Sequence, residues 1–265
     1  MSLTPYSEVN ALIDEIQARL RATLGRNLVG VYVFGSLAMG NFEKETSDID
    51  LAAALSDDLT AEEFELLDEL HADVVGAHPR WENRVEVAYI SCNKLKRIRP
   101  DDQIALISPG EPFHFKEAGN DWLLNLHLLR EHGLTVSGPP PQTLIDPVSN
   151  DDITAMVQRL MREWRGWITQ TDLIHERKYQ GHMIITMCRN LYLFRNHTVA
   201  SKREAAAWAA QLLPEWSSLI RNALVWREAT DDELADQDAT LPETLRFVHF
   251  VIETILVEQA SPITP

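Results

Sequence analysis

The sequence is poor in cysteine and contains no long hydrophobic run. Cys92 and Cys188 are the only two cysteines among 265 residues. Two cysteines do not make a disulfide framework, so we expect a reducing, cytoplasmic location. The N-terminus lacks a signal-peptide pattern, and no apolar stretch is long enough to cross a bilayer. We therefore expect no membrane partner.

Positive charge is also scarce. Lys and Arg total 24 against 40 Asp and Glu, which gives a net charge of −16. Because nucleic-acid binding depends mostly on Lys and Arg, we expect no nucleic-acid partner. A surface with an excess of acid concentrates cations, which favours a cationic small-molecule partner, although the same excess also serves solubility alone.

Carboxylates and a Gly-Ser pair are concentrated in residues 28–51. The β-branched run Leu28–Phe34 is typical of a buried strand, and Gly35 and Ser36 follow it directly. In the next predicted strand Asp48 and Asp50 share one face, where a divalent cation such as Mg²⁺ would relieve their repulsion. Glycine allows close backbone approach, and the serine offers donors to a phosphate. The stretch predicts a site for a metal-bound nucleoside triphosphate.

This pattern resembles the signature of the DNA polymerase β-type nucleotidyltransferases, which requires a third carboxylate on a later strand. Glu86 is the candidate, because it interrupts the apolar strand from Arg84 to Ile90. Asp-x-Asp or Gly-Ser alone is common in turns, and Glu86 alone could be a water-facing residue of an edge strand. The three features in this order are rarely a coincidence.

Hydrophobic periodicity predicts an α+β protein. The first domain, 1–150, is expected to have the order α-β-β-α-β and a small mixed sheet backed by helices, and the second, 151–265, to be an all-α helical bundle. Pro and Gly residues predict that Arg97–Asn120 is irregular. Helices are expected to start at Thr4-Pro5, Thr60, Asp121, Ser201, Pro214 and Pro242. In the second domain, one helix is expected to turn Met156, Leu160, Trp164 and Trp167 to the core. The acidic run Asp231–Asp238 is expected to be a solvated connection.

Both halves together resemble the aminoglycoside adenylyltransferases of the streptomycin/spectinomycin class. The segments that carry the resemblance include Thr186–Tyr192, Thr198–Lys202 and Leu241-Pro242 before Arg246. The resemblance implies a magnesium-dependent enzyme that transfers AMP from ATP to a hydroxyl of an aminoglycoside or related aminocyclitol, with release of pyrophosphate. It implies two Mg²⁺ ions and, as partners, ATP and a cationic hydroxylated small molecule; we expect a monomer.

The resemblance also implies site residues. Asp48, Asp50 and Glu86 would hold the metal, and Glu86 would be the catalytic base on the acceptor hydroxyl. The nucleotide would contact Gly35, Ser36, Ser47, Asp121, Arg189 and Lys202. For Arg189 a structural salt bridge is the alternative, and for Lys202 a solvated side chain.

The acceptor site departs from the pattern of the streptomycin enzymes. The segment Asp101–Gly119 has no tryptophan, and His175 and Tyr179 stand where those enzymes carry acids. This argues against streptomycin and leaves spectinomycin, another aminocyclitol or a hydroxylated amine open. Acceptor-binding candidates are Asp172, His175 and Glu176, and Trp164 and Trp167 either wall the pocket or pack in the core.

Two other functions remain open from the sequence. The first domain could modify a protein hydroxyl, as antitoxin-type nucleotidyltransferases do, although the long helical domain argues against this. Alternatively, the chain could be a catalytically inactive nucleotide-binding regulator, although retention of all three carboxylates argues against that.

Overall fold

The structure, a computed structural model, describes residues 3–168, 172–228 and 237–257. The chain divides into two compact units, Met1–Val148 and Ser149–Pro265. The bounds of the functional domains, 1–150 and 151–265, stay a prediction. None of the helices in the described ranges is long and apolar enough to span a membrane.

The first unit contains a mixed β-sheet and several helices. Its strands are β1 (Leu28–Phe34), β2 (Ile49–Leu55), β3 (Val85–Ser91), β4 (Gln103–Ser108), β5 (Glu111–Glu117) and β6 (Leu134–Ser137). Its helices are α1 (Ser7–Leu24), α2 (Gly35–Ala38), α3 (Ala61–Ala77), α4 (Cys92–Lys96) and α5 (Trp122–His132).

The strand order in the described sheet is β5-β4-β3-β2-β1-β6. Strands β2 and β3 pair in parallel, and the other described neighbours pair antiparallel. Helix α3 provides the crossover that a parallel pair requires. The α+β class and the mixed sheet are therefore confirmed.

Helix starts were predicted with mixed success. Helix α3 starts where predicted: the Thr60 hydroxyl accepts the Glu63 N–H at 3.2 Å, and the Glu63 carboxylate accepts the Thr60 N–H at 2.9 Å, which forms a capping box. The start at Thr4-Pro5 was wrong, since α1 begins at Ser7. There the Thr4 hydroxyl instead donates to Asn10 Oδ1 at 2.8 Å and fixes the segment before the helix.

The prediction that Arg97–Asn120 is irregular was wrong, because β4 and β5 form an antiparallel hairpin there. Its Pro and Gly residues occupy positions that a hairpin tolerates. Gly110 has φ +80° in the connecting turn, and Pro112 lies on β5, an edge strand that needs no partner for every backbone N–H.

The sheet has an apolar layer on each face. Leu51 and Val87 belong to the layer that includes α1 and α3. Ala52 and Ala88 belong to the layer that includes α4 and α5. Because side chains alternate along a strand, every second residue of β2 and β3 faces α5.

The second unit is helical throughout its described residues, as predicted. Its helices are α6 (Asn150–Trp167), α7 (Arg177–Asn196), α8 (Lys202–Leu212), α9 (Ser217–Glu228) and α10 (Leu241–Val257). Helix α7 is central and packs on the other four. Gly181 lets α9 approach closely, because a Cβ there would lie 2.7 Å from the Ala223 carbonyl oxygen.

Some details of the second unit differ from the prediction. Helix α8 begins after Ser201 as predicted, and Ser201 Oγ accepts the Glu204 N–H at 3.2 Å in a capping box. The predicted core face of α6 was partly wrong, because Trp167 is 38% exposed. Residues 231–236 of the predicted acidic connection lie outside the described residues. The buried positions of α6 are Ile153, Met156, Val157 and Met161.

Candidate active site

Asp50 and Glu86 are direct partners on the two parallel strands. Strand β2 pairs in register with β3, so the Cα of Asp50 lies opposite that of Glu86. Ile49 and Leu51, which flank Asp50 in β2, are fully buried on one face of the sheet, so Asp50 lies on the other face. Both carboxylates therefore lie on the α5 face, near the beginning of their strands.

Gly35 directly follows β1 and lies against the carboxylate of Asp50. Its φ is +64°, a conformation that residues with a side chain rarely adopt. A Cβ at this position would collide with Asp50 Oδ2 and Cγ. The glycine is therefore required both by its backbone conformation and by the position of the carboxylate. Ser36 follows in the first turn of α2 and is half-buried.

Asp48 lies one residue before β2, so the predicted strand began too early. The loop that leads to it is held by Arg84, whose guanidinium donates to the Lys44 carbonyl at 2.9 Å and to the Ser47 carbonyl. The hydroxyl of Ser47 accepts the Glu43 N–H at 2.9 Å. These contacts fix the backbone immediately before Asp48.

Glu86 experiences several neighbouring charges. Its pKa is raised to about 7, first by burial, while Lys116 acts in the opposite direction and Asp48, Asp121 and Glu111 add to the rise. Asp48 and Asp121 are therefore close enough to Glu86 to repel its charge. A carboxylate with a pKa near neutrality can accept a proton at physiological pH.

Helix α5 places Asp121. The residue precedes the helix and is exposed, whereas the next residue, Trp122, is 3% exposed. The rings of Trp122 and Phe34 are 6.2 Å apart, which anchors the start of α5 beside the end of β1. Asp121 is thereby held near α2, which begins at Gly35.

The oxygen atoms available in this region suit Mg²⁺, because they belong to carboxylates on one face of the sheet. One of these carboxylates, that of Asp50, occupies the space that a Cβ at Gly35 would take. In the described ranges, however, no three His, Cys, Asp or Glu side chains are gathered closely enough to hold a metal. Asp48, Asp50 and Glu86 therefore share a region without forming a closed three-ligand cage, and their role as ligands stays a prediction.

In the helical unit, Arg189 on α7 and Lys202 at the start of α8 are near the same side chain, His182. Burial, followed by the charges of Arg227, Lys202 and Arg189, lowers the pKa of His182 to about 4, although part of its surface is exposed. These cations form a positive region on an otherwise acidic chain, which suits an anionic ligand.

Comparisons with known proteins agree with both units. Residues 15–97 match the family model "Polymerase beta, Nucleotidyltransferase". Residues 143–253 match "Aminoglycoside adenylyltransferase, C-terminal domain". The chain is a nucleotidyltransferase that resembles the aminoglycoside adenylyltransferases.

Related adenylyltransferases align with nearly the whole chain. An aminoglycoside (3'')(9) adenylyltransferase of Shigella flexneri is 25% identical over 92% of this chain and 94% of its own length. One from Escherichia coli is 26% identical with the same coverage. The solved spectinomycin adenylyltransferase from Enterococcus faecialis, described with ATP and spectinomycin, has a TM-score of 0.71 at 18% identity. It covers 92% of this chain and 98% of its own.

Within the first unit, the structure brings together most of the residues that the sequence singled out. Asp50 and Glu86 are paired, Gly35 contacts Asp50, and Asp48 and Asp121 influence the charge of Glu86. Ser47 is nearby in the chain, but its hydroxyl participates in the loop described above.

The candidate acceptor-binding residues are placed less completely. His175 and Glu176 are exposed at the start of α7. The side chain of Asp172 lies outside the described residues. Tyr179 is on α7 itself, because the helix begins at Arg177.

Lys116 is a residue of this region that was not predicted from the sequence. Lys116 is opposite Ile104, which places it on the α5 face with Glu86. A signal was present, since His114 and Lys116 alternate with two phenylalanines as in a half-buried strand. The prediction of an irregular segment prevented assignment of a face.

Proposed function

We propose that the chain transfers AMP from ATP to a hydroxyl of a cationic aminocyclitol of the spectinomycin/streptomycin class and releases pyrophosphate. The in-register pair of Asp50 and Glu86 carries the proposal, because it concentrates negative charge on the face where the nucleotidyltransferase fold requires it. The description of the solved relative with ATP and spectinomycin supports both substrates. A role in antibiotic resistance would follow from that acceptor class.

The proposed metal ligands are Asp48, Asp50 and Glu86. When bound there, Mg²⁺ would neutralise charge on the phosphate oxygens of ATP. Glu86 acts as the base that accepts the proton of the acceptor hydroxyl. Asp50, held against Gly35, needs no rearrangement of the backbone to act as a ligand.

The remaining nucleotide contacts are proposed from the hydrogen-bond donors and charges of the residues. Gly35 and Ser36 approach the phosphates, and Ser47 and Asp121 border the same face. In the helical unit, Arg189 and Lys202 offset the triphosphate charge. Their common influence on His182 supports a joint role within that unit.

The test is pyrophosphate release from ATP and Mg²⁺ in the presence of spectinomycin, streptomycin and other aminocyclitols. We expect release with at least one of them, with spectinomycin favoured over streptomycin, and its loss in Glu86→Gln. Release only with a protein acceptor would overturn the small-molecule proposal. ATP binding without turnover on any acceptor would indicate a regulator instead.

A matched pair tests the nucleotide assignment in the helical unit. Lys202 and Arg203 are adjacent exposed cations on α8. Lys202→Gln should raise the KM for ATP about 10- to 100-fold, since a charge-assisted hydrogen bond contributes about 1.5–3 kcal/mol. Arg203→Gln should leave that KM unchanged. An equal rise in both variants would mean that Lys202 makes no specific contact with the nucleotide and contributes only to the overall surface charge.

A further inference from the structure

Helix α7 exposes a single narrow stripe. Between positions 179 and 189 the residues that are not buried are Tyr179, His182, Thr186 and Arg189. Their spacings of three, four and three residues place them on one face of the helix. The other positions in this interval are buried in the helical unit, so any ligand of this part of α7 must contact the stripe.

Aromatic rings extend the stripe onto α6. The ring of Tyr179 stacks on His182 with centroids 5.7 Å apart and an interplanar angle of 23°. The ring of Trp167 is tilted against that of Tyr179 with centroids 5.9 Å apart, and Trp164 contacts Trp167 edge-on at 5.2 Å. The four rings form a continuous array that crosses from α6 to α7.

The array is not simply part of the core. Trp167 is 38% exposed, and Trp164 and Tyr179 are only partly buried. A tryptophan packed in the core of this unit would be covered, as Met156 and Met161 on the same helix are. The rings therefore support one another while leaving ring surface accessible to a ligand.

The two ends of the stripe differ in chemistry. At one end, besides burial, the positive charges of Arg189, Lys202 and Arg227 together lower the pKa of His182. Because these cations lie near one another, this end suits phosphate oxygens. At the other end the accessible groups are ring faces, which attract cations through the negative charge of their π-systems. The stripe can therefore contact an anionic and a cationic substrate at its opposite ends.

We infer that Trp167 and Tyr179 bind an ammonium group of the acceptor through their ring faces and so determine which acceptors are used. The inference rests on the proposed function, and its occupant is a hydroxylated small molecule with an alkylated ammonium group. Ring faces hold alkylated ammonium ions especially well, since such ions lose little hydration on contact. Recognition then needs no carboxylate at His175 and Tyr179, where the streptomycin enzymes carry acids.

Kinetics with ring-deleting variants test the inference. We expect Trp167→Leu and Tyr179→Leu to raise the KM for spectinomycin about 3- to 30-fold, the range that a cation–π contact of about 0.5–2 kcal/mol implies. The KM for ATP should stay unchanged. Trp167→Phe keeps a ring and should recover most of the affinity.

The control is Trp216→Leu in the same helical unit. Trp216 is half-buried and contacts Phe247 edge-on at 5.4 Å, so its removal deletes a comparable aromatic contact outside the array. An unchanged KM for spectinomycin in Trp167→Leu and Tyr179→Leu overturns the inference. So does an equal rise in Trp216→Leu, or an equal rise in the KM for ATP.

Direct binding separates this inference from the proposed function. Calorimetric titrations with spectinomycin and streptomycin, in the presence of Mg²⁺ and a non-hydrolysable ATP analogue, need no turnover. Absence of pyrophosphate release by the unaltered protein would reject the proposed function alone. The inference is supported if either compound binds the unaltered protein, binds Trp167→Leu more weakly and binds Trp216→Leu with unchanged affinity. No binding, or equal binding in all variants, overturns it.

Discussion

Asp50 and Glu86 are Cα partners across two parallel strands, so the backbone fixes their relative positions before any ligand binds. In a parallel pair, side chains of in-register residues project from the same face. Their mutual arrangement depends on the β2–β3 register rather than on a loop. Substitutions of either side chain should therefore change the chemistry of the site while the sheet stays intact.

Glu86→Gln should lower the rate of pyrophosphate release about 10²- to 10⁴-fold, the usual contribution of a general base. The variant also removes one of several crowded negative charges, so without divalent cations its thermal unfolding midpoint at neutral pH should not fall. Glu82→Gln, an exposed residue just before β3, is the control for both measurements. Turnover by Glu86→Gln close to that of the control would remove Glu86 from the mechanism.

Gly35→Ala should abolish activity, because the new methyl group would occupy the space of the Asp50 carboxylate. Gly40→Ala is its matched control: φ is +72° at Gly40, but the added Cβ would meet nothing within 4 Å. Both variants should lose about 1–2 kcal/mol of unfolding free energy from the backbone conformation. Only Gly35→Ala should lose pyrophosphate release, and comparable activity of both would mean that Asp50 moves aside freely.

Arg84→Ala should reduce kcat about tenfold by loosening the loop before Asp48. The side chain donates to two loop carbonyls and lies over the Trp81 ring at 4.8 Å. Arg80 also lies over Trp81, at 5.8 Å, but its partners are the side chains of Glu8 and Glu45. Arg80→Ala should therefore change kcat little, and a similar loss in both variants would assign the effect to Trp81 packing.

Stability should decrease in acid because of His71. Its ring is 5% exposed and lies 2.8 Å from the Tyr89 hydroxyl, and burial lowers its pKa from 6.5 to about 4. The unfolded chain therefore binds more protons between these values, so the stabilisation is complete above pH 6.5 and is lost as pH falls toward 4.

His71 should account for a decrease of about 2–3 kcal/mol in the free energy of unfolding between pH 7 and pH 4.5. Denaturant unfolding of the protein and of His71→Gln at both pH values measures it, since glutamine does not titrate. The variant should show a pH-dependent loss smaller by that amount. Equal losses would show that His71 is protonated in the folded protein.

The sequence was most informative where local chemistry decides the structure. The helix starts at Thr60 and Ser201 depend on residues at most three positions apart, and both starts were predicted. The alternation around Asp50 depends on strand periodicity and was also recovered. These features require no knowledge of the rest of the chain.

Features that depend on long-range pairing were not predictable from the sequence. The β4–β5 hairpin contains Pro and Gly residues that locally favour irregular structure, and its pairing with β3 overrides that preference. Lys116 was missed for this reason. The parallel register that places Asp50 opposite Glu86 likewise arises from tertiary contacts, since nothing within either segment specifies the partner.

The position of β6 matters for attempts to produce the first unit alone. Strand β6 (Leu134–Ser137) pairs with β1 and closes one side of the sheet, although it lies well beyond residue 97, where the match to the nucleotidyltransferase model ends. A fragment cut at residue 97 would leave the backbone of β1 and β3 open to other chains, which promotes aggregation. Expression fragments that retain Ser137 should remain monodisperse, whereas shorter ones should precipitate.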